Sequence, residues 1–192
     1  MVVQPSGTVT FVFTDVEGST ALLHGIGAEA YRGALAEHRS VLRKAFAEHS
    51  GYEIDEAGDG LFYAFASASE AVAAVAQAMA SLAKGPVRVR VGVHTGEALF
   101  DPPKYVGVDV HKAARIMSAA HGGQVVLSAA THELVAGDML DLGRHRLKDF
   151  ADPVSLFQLG FERFPPLRTI SNTNLPVALS SFVGREAEVR EV

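Results

Sequence analysis

Residues 9–20 have the sequence Val-Thr-Phe-Val-Phe-Thr-Asp-Val-Glu-Gly-Ser-Thr, an apolar stretch that ends in acids and a turn of small residues. The alternation of Val, Phe and Thr over residues 8–14 predicts a strand. Asp15 would end that strand, where a carboxylate is costly to desolvate unless a cation or hydrogen-bond donors meet it. The Gly-Ser-Thr turn that follows can offer backbone N–H groups to a phosphate. Taken alone, the pattern also fits ordinary capping chemistry.

The composition is that of a globular chain with one sizeable core. Its 192 residues are 48% hydrophobic, and the most apolar stretch, residues 71–83, is too short to span a bilayer. The sequence contains no cysteine, which excludes disulfides and thiolate zinc sites. A net charge of −5 argues against a nucleic-acid-binding surface in this segment. With no signal-peptide pattern at the N-terminus, we expect a cytoplasmic domain that does not bind a membrane.

Helical and extended patterns follow one another along the whole chain. Predicted helices cover residues 28–49, 67–83, 107–120 and 129–135, and further predicted strands cover residues 52–54, 61–66, 87–94, 125–127, 140–147 and 154–160. No repeat is visible. This order predicts an α+β fold with a ferredoxin-like βαββαβ core, extended by a C-terminal helix and a β-hairpin.

Two carboxylates are expected to meet in this fold. The strands at 52–54 and 61–66 predict a hairpin whose tip carries Asp59. If the hairpin and the first strand form the central pair of the sheet, Asp15 and Asp59 face one point. Two like charges so placed raise each other's pKa, and a divalent cation removes that cost. Oxygen ligands and the absence of cysteine favour Mg²⁺ or Mn²⁺ over zinc.

The composition changes after residue 160. Residues 161–181 are rich in Pro, Ser, Thr and Asn and have no sustained periodicity, which is typical of an extended linker. A new helical pattern starts at Phe182. We therefore predict one domain over residues 1–160, and a linker with the truncated start of a second domain over residues 161–192.

Four segments resemble, in order, the catalytic domains of class III adenylate/guanylate cyclases. They are residues 13–20, 56–62, 91–97 and 107–117. The resemblance extends over about residues 7–160. The stretch from Phe164 to Gly184-Arg185-Glu186 resembles the junction, in large bacterial regulators, between such a domain and an ATPase domain that precedes a helix-turn-helix output. The chain has no Gly-Lys-Ser/Thr phosphate loop of its own.

The resemblance implies a head-to-tail homodimer that binds nucleoside triphosphate at the subunit interface. Asp15 and Asp59 would hold two Mg²⁺ or Mn²⁺ ions per active site, one acidifying the ribose 3′-hydroxyl and one neutralising the triphosphate. The hydroxyl would attack the α-phosphorus, and pyrophosphate would leave.

The resemblance also assigns roles to residues outside the acid pair. Arg115 from the opposite subunit would stabilise charge in the transition state. A basic residue near the C-terminus, Lys148 or Arg146, would bind phosphate. Backbone N–H groups of the turn after the first strand would contact the β- and γ-phosphates; its residues are Val16, Glu17, Gly18, Ser19 and Thr20.

Three substrate-contacting positions depart from the family pattern. Asp55 occupies the position of a lysine that reads the purine in the family. Lys104 occupies the position of the residue that usually pairs with that lysine, an Asp or Thr. His111 replaces the asparagine that positions the ribose. An aspartate can accept hydrogen bonds from either purine, so the exchange leaves ATP and GTP both open. His94, at the end of an apolar strand, is predicted to be a hydrogen-bonded core residue rather than a ligand.

Two functional hypotheses follow. The first is a metal-dependent cyclase domain of a signalling or transcriptional regulator, with weak or conditional activity on ATP and, less readily, GTP. The metal acids and Arg115 favour it. The second is a catalytically silent module that binds nucleotide or only dimerises and thereby regulates attached domains. The changes at Asp55, Lys104 and His111 favour the second.

Overall fold

A mixed seven-stranded sheet carries the fold in the computed structural model, which describes residues 3–170. The helical pattern predicted from Phe182 lies outside the described residues. The strands are β1 (Thr8–Val16), β2 (Tyr52–Ala57), β3 (Gly60–Phe65), β4 (Val89–Glu97), β5 (Leu99–Asp101), β6 (Lys104–Val106), β7 (Val125–Ser128), β8 (Met139–His145) and β9 (Val154–Leu159). The helices are α1 (Ser19–Ile26), α2 (Ala28–Glu48), α3 (Ala68–Leu82), α4 (Val108–Ala119) and α5 (Ala129–His132).

The strand order in the sheet is β2-β3-β1-β4-β7-β9-β8, and β5 and β6 form a separate hairpin. Only β4 and β7 run parallel, whereas the other neighbours in the sheet are antiparallel. Strand β1 therefore lies between β3 and β4, and its register places Asp15 opposite Arg90. The predicted α+β architecture, with its C-terminal helix and hairpin, is confirmed.

Helices α2 and α3 cover one face of the sheet and build the main core. The fully buried side chains there include Val12, Leu42, Phe46, Val75 and Val91. Burying a side chain of this size stabilises the fold by about 1.5–3 kcal/mol. The opposite face carries α4 over a smaller aromatic cluster. Odd-numbered residues of β1 point to this second face, so Asp15 shares it with Phe11.

Helix α4 lies unusually close to β4 because β4 has a glycine at the contact. A Cβ atom on Gly92 would lie 2.3 Å from the backbone nitrogen of Met117 and 2.7 Å from the carbonyl oxygen of Ala113. Neither atom belongs to a flexible side chain. The distance between α4 and the sheet is therefore set by backbone contact.

A buried polar network fixes the N-terminal end of α4. Asp109 Oδ1 lies 2.9 Å from His94 Nε2, and Asp109 Oδ2 accepts a hydrogen bond of 3.0 Å from the backbone N–H of Glu97. The other ring nitrogen of His94, Nδ1, lies 2.7 Å from Ser128 Oγ. Burial lowers the pKa of His94 below its usual value. The prediction that His94 is a hydrogen-bonded core residue is confirmed.

Several element predictions were wrong in detail. Helix α1 was not predicted, because its eight residues include Gly25 and bury no side chain. The predicted loop at 101–104 is the tip of the β5–β6 hairpin, whose three-residue strands are too short to show alternation. Strand β2 continues to Ala57, so Asp55 belongs to a strand. Strand β2 lies at the edge of the sheet, so only the β3 strand of the predicted hairpin adjoins β1.

Residues 161–170 contain no helix or strand, yet they pack against the body of the domain. The backbone N–H of Arg168 donates to the Ala119 carbonyl at 2.9 Å, and that of Ile170 donates to the Arg146 carbonyl at 3.1 Å. Leu167 joins a hydrophobic cluster around Ile116. The domain division at residue 160 stays a prediction. Within residues 3–170, no helix has the length and apolar character that crossing a bilayer requires.

The close approach of α4 gives a first prediction. Gly92→Ala should lower the free energy of unfolding by about 2 kcal/mol or more, because the added methyl overlaps backbone atoms of α4. Urea denaturation followed by circular dichroism measures this change. Gly33→Ala is the matched control: Gly33 is exposed in α2 with open space around it, so alanine should be neutral or slightly stabilising. Equal stabilities for the two variants would contradict the predicted contact.

Candidate active site

Asp15 and Arg90 form an ion pair across neighbouring strands. Arg90 donates from Nε and Nη2 to the same oxygen, Asp15 Oδ2, at 2.8 and 2.5 Å. Both side chains are mostly withdrawn from solvent, with 25% of Asp15 and 22% of Arg90 exposed. Arg90 Nη1 also reaches the carbonyl oxygen of Ser118 at the end of α4. The guanidinium thus holds one carboxylate oxygen and leaves Asp15 Oδ1 clear of it.

Asp59 is brought beside Asp15 by the β2–β3 turn. Gly58 supplies the left-handed conformation that the turn needs, with φ 63°. Arg39 of α2 donates to the carbonyl oxygen of Gly58 at 2.7 Å and pairs with Glu56 at 2.8 Å, which braces the turn from the side of α2. Burial raises the pKa of Asp15, Arg90 opposes that rise, and the carboxyl of Asp59 adds to it.

The two carboxylates fit a divalent cation bound together with a substrate. In residues 3–170 no group of three or more acidic or histidine side chains is arranged to hold a metal. Mg²⁺ commonly uses one or two protein carboxylates and completes its shell with waters and substrate phosphates. Burial of the carboxyl and the nearby carboxyl of Asp59 raise the pKa of Asp15, and a cation bound at Asp15 and Asp59 would offset both costs.

The turn after β1 does not offer all of the backbone N–H groups that were predicted to bind phosphate. The backbone N–H of Glu17 donates to the carbonyl oxygen of Arg88 at 2.8 Å, so it is not available to a phosphate. Because alternate residues of a strand donate to opposite sides, the N–H of Val16 points away from β4. The first intrahelical bond of α1 joins the N–H of Leu22 to the carbonyl of Gly18.

The N–H groups best placed for an anion therefore lie beyond Glu17, at the start of α1. Gly18 adopts a left-handed conformation with φ 68° and begins α1 without a side-chain cap. The N–H groups of Ser19, Thr20 and Ala21 form the first helical turn, where donors lack intrahelical partners. The phosphate contacts at Gly18, Ser19 and Thr20 stay predictions that fit this geometry, whereas the backbone N–H of Glu17 already has Arg88 as its partner.

The side chain of Glu17 points to the C-terminal part of the chain instead. It accepts a hydrogen bond of 2.8 Å from the backbone N–H of Gly122 and forms an ion pair with Arg168. Arg168 lies in the segment predicted to be a linker. The turn after β1 is thus tied to residues 161–170.

Asp55 and Lys104, predicted to be neighbours, form an ion pair. The hydrogen bond from Lys104 lowers the pKa of Asp55. Lys104 is 56% exposed and Asp55 is 39% exposed, so the pair contributes little to stability. Asp55 also lines a pocket of about 180 Å³ with Asp15 and the stacked rings of Phe13 and Phe62, whose centroids are 4.0 Å apart.

Arg115 and His111 lie apart from the acids within one chain. Both line a second pocket of about 440 Å³ with Asp149, and neither Asp15 nor Asp59 borders it. Arg115 donates from Nε and Nη2 to Asp149 Oδ2 at 3.1 and 2.6 Å. Lys148 is exposed next to Asp149. The roles predicted for Arg115, His111 and Lys148 stay predictions, since they require a second subunit or a bound nucleotide.

Sequence reasoning missed Arg90 and Asp149, which pair with candidate site groups. Arg90 could have been found, because an arginine in an apolar strand that adjoins the strand of Asp15 needs a partner. Asp149 gave no such signal, since its contact with Arg115 depends on the fold of the turn between β8 and β9.

The fold and its paired acids define a domain of the class III nucleotidyl cyclase type. Residues 1–149 match the family described as the adenylate and guanylate cyclase catalytic domain, and the chain belongs to that family. A Mycobacterium tuberculosis protein named as uncharacterized is 39% identical over 200 residues, which cover 96% of this chain and 70% of that protein.

Two further relatives carry enzyme names. A putative adenylate cyclase of Rhizobium meliloti is 31% identical over 155 residues, covering 74% of this chain and 26% of the relative. The solved structure of an adenylate cyclase from Trypanosoma brucei, in its monomeric state, superposes with a TM-score of 0.77 at 25% identity and covers 86% of this chain and 96% of that one.

His38 of α2 lies near the β2–β3 turn and gives a pH-dependent prediction. It is fully buried, and its ring nitrogens have no hydrogen-bond partner in the described part of the chain. Burial lowers its pKa from 6.5 to about 4, although the charge of Asp59 opposes the shift. The unfolded chain therefore binds a proton more readily than the folded one between these values, and stability falls as the pH drops below 6.5.

We expect His38→Leu to remove this part of the acid sensitivity. The loss of unfolding free energy between pH 7 and pH 4.5 should be smaller than in the wild type by about 2 kcal/mol. Urea titrations at the two pH values measure it, with His24→Leu at an exposed position as the control. Parallel pH profiles for His38→Leu and the wild type would refute the assignment.

Proposed function

We propose that this chain is a nucleotidyl cyclase domain that converts ATP, and less readily GTP, to the 3′,5′-cyclic nucleotide and pyrophosphate. The observation that carries the proposal is the convergence of Asp15, Asp59 and the uncapped first turn of α1 at one end of β1. Two acids and free backbone donors are thus combined at the end of one strand. That combination suits a metal–triphosphate complex.

Asp15 and Asp59 would hold Mg²⁺ or Mn²⁺, which acidifies the ribose 3′-hydroxyl and offsets the charge of the triphosphate. Arg90 keeps the Asp15 carboxylate in one orientation by holding Oδ2. The N–H groups of Ser19 and Thr20 would bind β- and γ-phosphate oxygens, helped by the positive end of the α1 dipole.

The remaining groups would come from a second subunit of a cytoplasmic homodimer. Arg115 and His111 lie away from the acids of their own chain, as a site shared between subunits requires. In that arrangement Arg115 stabilises the charge that develops as the 3′-oxygen attacks the α-phosphorus and pyrophosphate leaves. His111 donates a hydrogen bond to the ribose, and Lys148 binds a phosphate.

A second function is favoured by the ion pair between Asp55 and Lys104. At the positions that would read the purine, the two side chains already satisfy each other. A base must break or bridge that pair in order to bind, which opposes affinity. The alternative is a silent module that binds nucleotide weakly or only dimerises, and so regulates a domain joined beyond the linker.

Turnover by the purified protein distinguishes the two functions. With Mn²⁺ and ATP or GTP at high protein concentration, the wild type should form the cyclic product, and Asp15→Ala should lower the rate by about 100-fold or more, because the metal loses a ligand. Chromatography of the nucleotides measures the product. Glu29→Ala, which removes an exposed acid of α2, should match the wild type. Indistinguishable rates for the wild type and Asp15→Ala would leave only the silent module.

The purine positions give a separate prediction. Asp55→Lys alone should not raise activity on ATP, although it restores the residue typical of the family, because the new ammonium would face Lys104. The charge-exchanged variant Asp55→Lys with Lys104→Asp keeps the ion pair and serves as the matched control. Activity is followed as cyclic product formed with ATP and with GTP. A severalfold gain from Asp55→Lys alone would show that Lys104 does not constrain this position.

A further inference from the structure

The turn between β8 and β9 contains a residue in an unfavourable conformation. The backbone N–H of Phe150 donates to the carbonyl oxygen of Leu147 at 3.2 Å, which closes a four-residue turn. Asp149 is the third residue of that turn and has φ 68°. A positive φ at this position favours glycine, and asparagine and aspartate tolerate it better than other residues with a side chain.

Both ends of this turn are anchored. Leu147 is 1% exposed and packs, together with Phe150, on the cluster around Ile116 of α4. Lys112, also on α4, lies 5.8 Å from the centre of the Phe150 ring. The carboxylate of Asp149 is therefore held at a fixed position beside α4, the helix that carries Arg115.

The contact between Asp149 and Arg115 uses one edge of the guanidinium. Nε and Nη2 both donate to Asp149 Oδ2, and within residues 3–170 Nη1 has no hydrogen-bond partner. Charge-assisted hydrogen bonds from two nitrogens fix the plane of the guanidinium as well as its position. Arg115 also lines, together with His111, the pocket of about 440 Å³.

We propose that Asp149 is a positioning residue: it holds the guanidinium of Arg115 by one edge, so that the opposite edge meets the phosphoryl group of a nucleoside triphosphate bound by the partner subunit. This role rests on the proposed cyclase function. Arg115 is 37% exposed and Asp149 58% exposed, so their contact adds little to stability. Its effect is to orient Arg115 before the charge develops, which a transition-state contact requires.

Two substitutions test the role without disturbing the turn. Asp149→Gly and Asp149→Asn both tolerate the positive φ, so each should leave the melting temperature unchanged or slightly higher. With Mn²⁺ and ATP, kcat should fall about tenfold in both while KM stays the same, because Arg115 loses its orientation only in the transition state. Asp152→Asn changes an exposed acid of the same loop and should behave as the wild type.

A double substitution shows whether Asp149 acts through Arg115. Arg115→Ala should lower kcat by about 100-fold or more, and adding Asp149→Gly to it should cause no further loss. An additional fall in the double variant, an unchanged kcat in the single variants, or a gain of activity would each overturn the positioning role. A gain would mean that Asp149 withholds Arg115 from the reaction.

A spectroscopic measurement separates failure of this role from failure of the proposed function. Absence of cyclic product from the wild type would refute the cyclase function. The nitrogen resonance of Arg115 Nε, recorded on ¹⁵N-labelled protein, reports the contact without turnover. It should shift between the wild type and Asp149→Gly and should not shift in Asp152→Asn. An unshifted resonance in Asp149→Gly would overturn the contact, and with it the positioning role.

Discussion

The distance between α4 and the sheet depends on the glycine at position 92, which has no side chain. With hydrogen in place of Cβ, the backbone of α4 rests directly on β4, and the network of His94 and Asp109 fixes the N-terminal end of the same helix. Rotation and sliding of α4 are thereby restricted. The positions of His111 and Arg115, on the outer side of that helix, follow from contacts made on its inner side. Packing and candidate chemistry are thus joined through one helix.

The charged groups of the candidate site are already paired inside the chain. Asp15 is paired with Arg90, Asp55 with Lys104 and Arg115 with Asp149. A nucleotide and its metal ions would exchange some of these contacts for new ones, so the net gain on binding is smaller than the new contacts alone suggest. Only the pair of Asp15 and Arg90 is largely shielded from water, and it is therefore the costliest to break. Low affinity for nucleotide in the isolated chain is the expected physical result.

Strong periodicity made most of the fold predictable from the sequence. The alternation in β1 and β4 and the apolar faces of α2 and α3 identify those elements, because burial on one face imposes a period on the sequence. Helix α1 and the β5–β6 hairpin escaped prediction, since they bury little and are short. The meeting of Asp15 and Asp59 followed from strand order. By contrast, two contacts depend on strand register and turn geometry, which no local sequence pattern encodes. They are the ion pair of Asp149 with Arg115 and the hydrogen bond from the backbone N–H of Glu17 to Arg88.

The link between Glu17 and Arg168 has a practical consequence for the boundary of the domain. A fragment that ends at residue 160 would lack Arg168, and the carboxylate of Glu17 would keep its hydrogen bond from Gly122 and the ring of His121 at 3.9 Å. It would also uncover the apolar surface on which Leu167 packs. The smallest unit that preserves the turn after β1 therefore extends to residue 170. Residues 161–170 form no helix or strand, yet through Arg168 they support the turn after β1.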